Sequence, residues 1–216
     1  KYIDILEKPL YNSMLSGVSL SADRFFYPNP LESNGQHERQ AWFGCACCPS
    51  NVARFVPAIP GYIYGVTKDE LYVNLYISNE ADILLGNRKI KVTQNADFPW
   101  NGKVEITVDP ESQGRFKLKL RIPGWARNEA IPGGLYKFSD QDNGSFKLSV
   151  DGETLTPEIV NGYVVINRKW NRGDKVLLDL PMPVRTLVAD ERIKDVNILS
   201  VTMQKEEPVI EENISY

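Results

Sequence analysis

The sequence has little to cross-link it and little excess of either sign of charge. It has three cysteines and one histidine in 216 residues. All three cysteines fall between Cys45 and Cys48. An odd number packed that closely is not a disulfide framework, and vicinal Cys47 and Cys48 would strain the backbone if bridged. Reduced thiols follow, which points to a reducing, cytoplasmic compartment or to a metal that protects them. Lysine and arginine total 25 against 28 acidic residues, a formal charge of -3. Without a basic block, nucleic-acid binding has no electrostatic footprint. No apolar run approaches the ~20 residues a membrane span needs. No signal-peptide pattern opens the chain, which starts at Lys1 and reads as a piece of something longer. Hydrophobic residues at 42% and charged residues at 25% are ordinary globular usage.

Two kinds of segment are present. Ile3, Leu6, Leu10, Met14 and Leu15 recur at helical spacing, interrupted by Pro9 and stopped at Gly17. Asp4, Glu7 and Lys8 read as the solvated face of that helix. The run from Phe25 to Glu32 holds two prolines and is expected to be extended or turned. Glu32 reads as a structural acceptor rather than a general acid, and His37 as a solvated loop histidine. Pro49, Ser50 and Asn51 mark a helix start, with Ser and Asn able to cap and with Pro57 and Pro60 keeping the helix short.

From Tyr62 onward the period changes from helical to two. Strands are expected over 71–77, 89–93, 103–108, 116–122, 146–150, 162–166 and 175–180. Asp151-Gly152, Asn161-Gly162 and Arg172-Gly173-Asp174 supply turns between them. Seven short alternating runs predict an antiparallel β-sandwich, with a boundary between Tyr62 and Asp69. Trp125 and Trp170 are expected to anchor its core rather than to stack on a sugar. The acidic stretch 206–216 reads as poorly ordered or as a truncated strand.

The segment Gly44-Cys45-Ala46-Cys47-Cys48-Pro49-Ser50-Asn51 is harder to read as packing alone. A helix N-terminus favours thiolate, and thiolate is both nucleophile and metal ligand. The spacing is not that of a structural zinc module, which supplies two separated ligand pairs. From the residues alone, packing, metal binding and catalysis stay open.

The segments Phe25-Phe26-Tyr27-Pro28-Asn29-Pro30-Leu31-Glu32 and Cys45-Ala46-Cys47-Cys48-Pro49-Ser50-Asn51-Val52-Ala53-Arg54 resemble the β-L-arabinofuranosidases of glycoside hydrolase family 127. So do Arg121-Ile122-Pro123-Gly124-Trp125-Ala126 and the stretch from Gly162 to Trp170. The resemblance runs from about Leu10 to Arg192. It implies a mainly β chain: an antiparallel β-sandwich (63–216) preceded by a short α-helical remnant (1–62) of an (α/α)6 catalytic barrel. It also implies a zinc ion held by three cysteines and a glutamate, with Cys47 as ligand and nucleophile, Cys48 as ligand and Tyr27 as a substrate contact. Cys45 would then be a packing residue near the site. The implied reaction is retaining hydrolysis of an L-arabinofuranosyl oligosaccharide or glycoconjugate through a thioglycosyl intermediate.

The other zinc ligands and the acid/base glutamate belong to the barrel region upstream, and only 46 residues precede Cys47. The chain alone is therefore expected to hydrolyse nothing and to hold zinc incompletely or not at all. Apolar side chains such as Phe25, Phe26 and Trp42 are expected to lie open where the barrel would dock, and a homodimer is a further option. The alternative is a non-catalytic β-sandwich module, structural or carbohydrate-interacting, with inert cysteines.

Overall fold

The fold is described from a computed structural model, over residues 1–28, 34–45, 47–140 and 144–193. Glu32 and the acidic stretch 206–216 lie outside the described residues. The architecture is mainly β, with helices confined to the start.

Helix α1 spans Tyr2–Pro9 and runs without a break into a π-helical turn, Leu10–Met14. Pro9 interrupts the pattern in the sequence but not the rod, because its backbone stays helical at φ -62 and ψ -34. Proline lacks the N–H for the i–4 bond, and a wider turn follows where that bond is missing. Helix α2, Cys47–Phe55, starts two residues before the expected Pro49. Ser50 Oγ and Asn51 Nδ2 do not cap N–H groups; both donate to the Cys47 carbonyl, at 2.9 and 2.8 Å. A 3-10 turn (Val56–Ala58) and the short α3 (Pro60–Ile63) end the helical region, segmented by Pro57 and Pro60.

The strands are β1 (Tyr64–Val66), β2 (Glu70–Val73), β3 (Asn79–Leu85), β4 (Arg88–Ala96), β5 (Lys103–Pro110), β6 (Gly114–Arg121), β7 (Tyr136–Phe138), β8 (Lys147–Val150), β9 (Glu153–Leu155), β10 (Ile159–Val160), β11 (Tyr163–Trp170), β12 (Asp174–Asp179) and β13 (Leu187–Ala189). One sheet has the order β1-β2-β6-β11-β10, the other β3-β4-β5-β12-β8-β9, and β13 pairs with β7. Every pairing is antiparallel except β2 with β6. Inward residues of both sheets form one core: Leu71, Phe116, Leu118, Leu120, Val164 and Trp170 from the first, Ile90, Val92, Ile106, Val108, Leu148 and Val176 from the second. Trp170 is fully buried and donates from Nε1 to the Phe116 carbonyl at 3.1 Å, so it anchors the core as expected. The two tight turns are as the sequence reads. Asp151-Gly152 joins β8 to β9 and Asn161-Gly162 joins β10 to β11, all four residues at positive φ. That is the primed hairpin geometry, which suits the right-handed twist of the strands.

Three further expectations are corrected. The run Leu71–Ile77 is not one strand. β2 stops at Val73, and residues 74–78 carry the chain across to the other sheet, where β3 begins. Leu75 and Tyr76 stay buried there, and the Tyr76 hydroxyl donates to the Arg121 carbonyl at 2.5 Å. A side chain buried at a crossing gives the same apolar signal as one in a strand.

Asp4 and Glu7 are not a solvated face. Glu7 is buried and Asp4 nearly so, and both pair with Arg121, itself 2% exposed. Lys8 Nζ donates to the Ala130 carbonyl at 2.6 Å. His37 is likewise half-buried, stacked on Phe26 at 4.5 Å.

Candidate functional site

The site is built where an extended loop meets the first turn of α2. Phe25 is held by two backbone bonds to Gln40, at 2.8 and 2.9 Å, and Phe26 N–H donates to the Gly17 carbonyl at 2.9 Å. Side chains of successive extended residues point to opposite sides. Phe26 lies between the His37 ring, at 4.5 Å, and the Arg39 guanidinium, at 4.3 Å. His37 Nε2 is 2.8 Å from the Pro28 carbonyl, and Arg39 reaches back to the Ser16 carbonyl at 2.5 Å. These contacts hold the segment 25–28. Tyr27 meets the Phe43 ring at 5.5 Å and brings its hydroxyl to 3.1 Å from Cys47 Sγ. Sequence reasoning missed Phe43, Phe26 and Arg39 as supports; the only signal was the density of aromatics around Tyr27.

Cys47 and Cys48 open α2, and their sulfurs are 4.0 Å apart, too far for a disulfide. Both thiols are free and exposed, as is Cys45. The Tyr27 hydroxyl, donating to sulfur, lowers the Cys47 thiol below its ordinary value, with smaller contributions from Cys48 and Cys45. The same bond pushes the Tyr27 phenol up to about 12. Partial desolvation, and then neighbouring Cys47, raise Cys48 instead. The two neighbouring thiols are thus shifted in opposite directions, Cys47 down and Cys48 up.

Two cysteine ligands of a tetrahedral zinc, each ~2.3 Å from the metal, are about 3.8 Å apart. The observed 4.0 Å between Cys47 and Cys48 fits that separation, and soft sulfur is the donor type zinc takes. Among the described residues no group of three or more His, Cys, Asp or Glu is placed to hold a metal ion. The pair alone offers two of the four donors that a tetrahedral zinc takes. Also among the described residues, no helix is long and apolar enough to cross a membrane.

Trp125, the other tryptophan considered for sugar stacking, lies against Phe98 at 6.0 Å and donates from Nε1 to Glu7 at 3.2 Å. Of the three apolar side chains expected to lie open, Trp42 is 65% exposed, but Phe25 and Phe26 are half-buried, Phe26 under His37 and Arg39; Leu20, Tyr2, Ile5 and Leu15 are open instead.

Two family models match the chain. The catalytic-domain model of the GH127 beta-L-arabinofuranosidases matches residues 1–61, and the middle-domain model of the same enzymes matches residues 70–182. A non-reducing end beta-L-arabinofuranosidase of Bifidobacterium longum subsp. longum is 33% identical over 212 residues, covering 90% of this chain and 29% of that protein. Among solved structures, a GH127 beta-arabinofuranosidase is 46% identical with a TM-score of 0.85, over 89% of this chain and 30% of that one. A GH127 beta-L-arabinofuranosidase from Geobacillus stearothermophilus T6 is 37% identical with a TM-score of 0.73, over 89% of this chain and 30% of its own. The chain thus spans about 30% of the length of these relatives. With the middle-domain model covering more than half of its residues, the chain belongs to the GH127 beta-L-arabinofuranosidase family.

Proposed function

We propose that this chain is the nucleophile-bearing part of a retaining β-L-arabinofuranosidase, and that Cys47 is the nucleophile. The observation that carries the reading is the Tyr27 hydroxyl at 3.1 Å from a Cys47 sulfur that opens a helix, in a chain of this family. Residues 1–62 supply the last part of the catalytic barrel, and the described residues from 63 to 193 the sandwich. The substrate class is an L-arabinofuranosyl oligosaccharide or glycoconjugate.

In the first step the Cys47 thiolate attacks the anomeric carbon, and the C–S bond forms as the glycosidic C–O bond breaks. A carboxylic acid of the barrel, outside this chain, donates its proton to the leaving oxygen. In the second step water attacks the same carbon and gives its proton to that carboxylate, while the sulfur leaves as thiolate. Two inversions amount to retention. Tyr27 holds the sulfur by donating to it as thiolate, and its ring forms a wall beside Phe43 for the sugar. The helix N-terminus favours the anion. Cys47 and Cys48 would hold a zinc ion together with donors from the barrel, and bound zinc would keep the thiolate population high at neutral pH.

The test is Cys47→Ala in the full-length enzyme. Turnover is expected to fall by about 10³-fold or more, while the fold, read by circular dichroism, is unchanged. The parent enzyme, and not the variant, should gain the mass of one sugar residue on Cys47 when treated with an electrophilic arabinose mimic. Normal hydrolysis by Cys47→Ala would overturn the reading and leave the sandwich as a non-catalytic module.

A further inference from the structure

We propose that Arg121 is a positioning residue, through which the sandwich sets the orientation of the helix that carries Cys47. The inference rests on the reading of Cys47 as nucleophile.

Arg121 is the last residue of β6 and is 2% exposed. Its guanidinium makes three directed contacts. Nε donates to the Asn74 carbonyl at 2.5 Å, Nη1 to Asp4 Oδ1 at 2.8 Å, and Nη2 to Glu7 Oε1. Asp4 also accepts from Gly124 N–H at 3.1 Å, and Glu7 from Trp125 Nε1 at 3.2 Å. Asp4 and Glu7 are three apart on α1, so they share one helix face. All these partners belong to the sandwich or its connections, so that face of α1 is gripped by hydrogen bonds from a rigid scaffold.

Leu6, Leu10 and Met14 of the same helical rod pack with Phe55 and Ile59 in a second, smaller apolar cluster. Phe55 is the last residue of α2, and Cys47 is the first. The path runs from Arg121 to the two carboxylates, through α1, across this cluster to α2 and so to the sulfur.

A fork of charge-assisted bonds fixes rotation and register, whereas apolar packing is non-directional. Stability alone does not require an ion triad here, since buried triads replaced by apolar side chains of similar volume usually keep or gain stability. The two roles therefore separate experimentally. In the full-length enzyme, Arg121→Met alone leaves the buried Glu7 carboxylate without its cation and leaves Asp4 with the more distant Arg127, at 3.9 Å, and should lower Tm sharply. Asp4→Leu, Glu7→Met and Arg121→Met together remove the ion cluster and leave only the Gly124 and Trp125 N–H groups without acceptors, so most of the lost Tm should return. Their kcat should nonetheless stay about tenfold or more below it with KM little changed, because a displaced nucleophile costs rate rather than binding. Glu7→Gln keeps the shape and removes one charge; it should fold normally and lose about threefold in kcat.

Parental kcat in the triple variant with Tm recovered, or in Glu7→Gln, overturns the proposal. If the triple variant does not fold, Glu7→Gln decides. Loss of turnover in Cys47→Ala beside full activity in the triple variant rejects the positioning role alone. Activity in Cys47→Ala rejects the nucleophile instead.

Discussion

The helical segment and the sandwich hold themselves together in different ways. The sandwich closes its own core with inward residues of both sheets, and its largest buried side chains include Trp170, Phe116 and Tyr76. The helical segment shares a core of three buried residues, Leu10, Ile63 and Leu75, one of which comes from the chain that follows β2. Its other apolar side chains, Tyr2, Leu15, Leu20 and Trp42 among them, are open. The part proposed to do chemistry is thus the part with the least core of its own. Its first helix meets the sandwich at Arg121, and its apolar cluster meets it at Leu75.

That contrast can be broken most directly in the cores. Ile106→Ala, at a fully buried position of β5, should cost about 3–5 kcal/mol in urea unfolding followed by tryptophan fluorescence. Leu10→Ala should cost about half as much, because the thin cluster around it can relax into the space. Equal losses would mean that the helical segment is as tightly packed as the sandwich, and the comparison would fail.

A smaller effect is expected in the β8–β9 hairpin. Gly152 sits at φ +85, and Gly152→Ala should cost about 1–2 kcal/mol by the same measurement. The strain would be confined to the sandwich, so the alkylation rate of Cys47 should not change. A change there would show that the two regions are coupled beyond the Arg121 contacts.

The smallest effect is electrostatic. Hydrogen bonds from Lys119, then Tyr72, then Lys117 hold the Glu70 carboxyl down to about 2. A depressed carboxyl stabilises the fold above its unfolded value, near 4.5, and that contribution is lost as pH falls toward 2. The urea midpoint of the parent should therefore fall more steeply than that of Glu70→Gln between those values. Parallel curves would remove Glu70 from the account of sandwich stability.

Much of the sandwich was legible. The alternation in 103–108 and 116–122 matches β5 and β6 within two residues at either end, because burial of every second side chain is a local pattern. Asn-Gly and Asp-Gly announced two hairpins through the positive φ they tolerate. β3 was missed, since Asn79–Leu85 is half-buried and follows a buried crossing that has no period of its own. In the site, the vicinal cysteines and Tyr27 stood out by residue type and spacing. The Phe26 stack and Phe43 did not, because exposed-looking aromatics in a loop carry no period. Asp4 and Glu7 were misread for a related reason: helical spacing places two carboxylates on one face but says nothing of what lies opposite.

From the sequence by itself came the period of each segment, the hairpin turns and the thiol pair at a helix start. All of these depend on neighbours within a few positions. Only the tertiary structure decided that Tyr27 reaches Cys47 across 20 residues and that Arg121 meets Asp4 across 117. Such meetings depend on which surfaces are desolvated together when sheet and helix pack, and no local pattern encodes them.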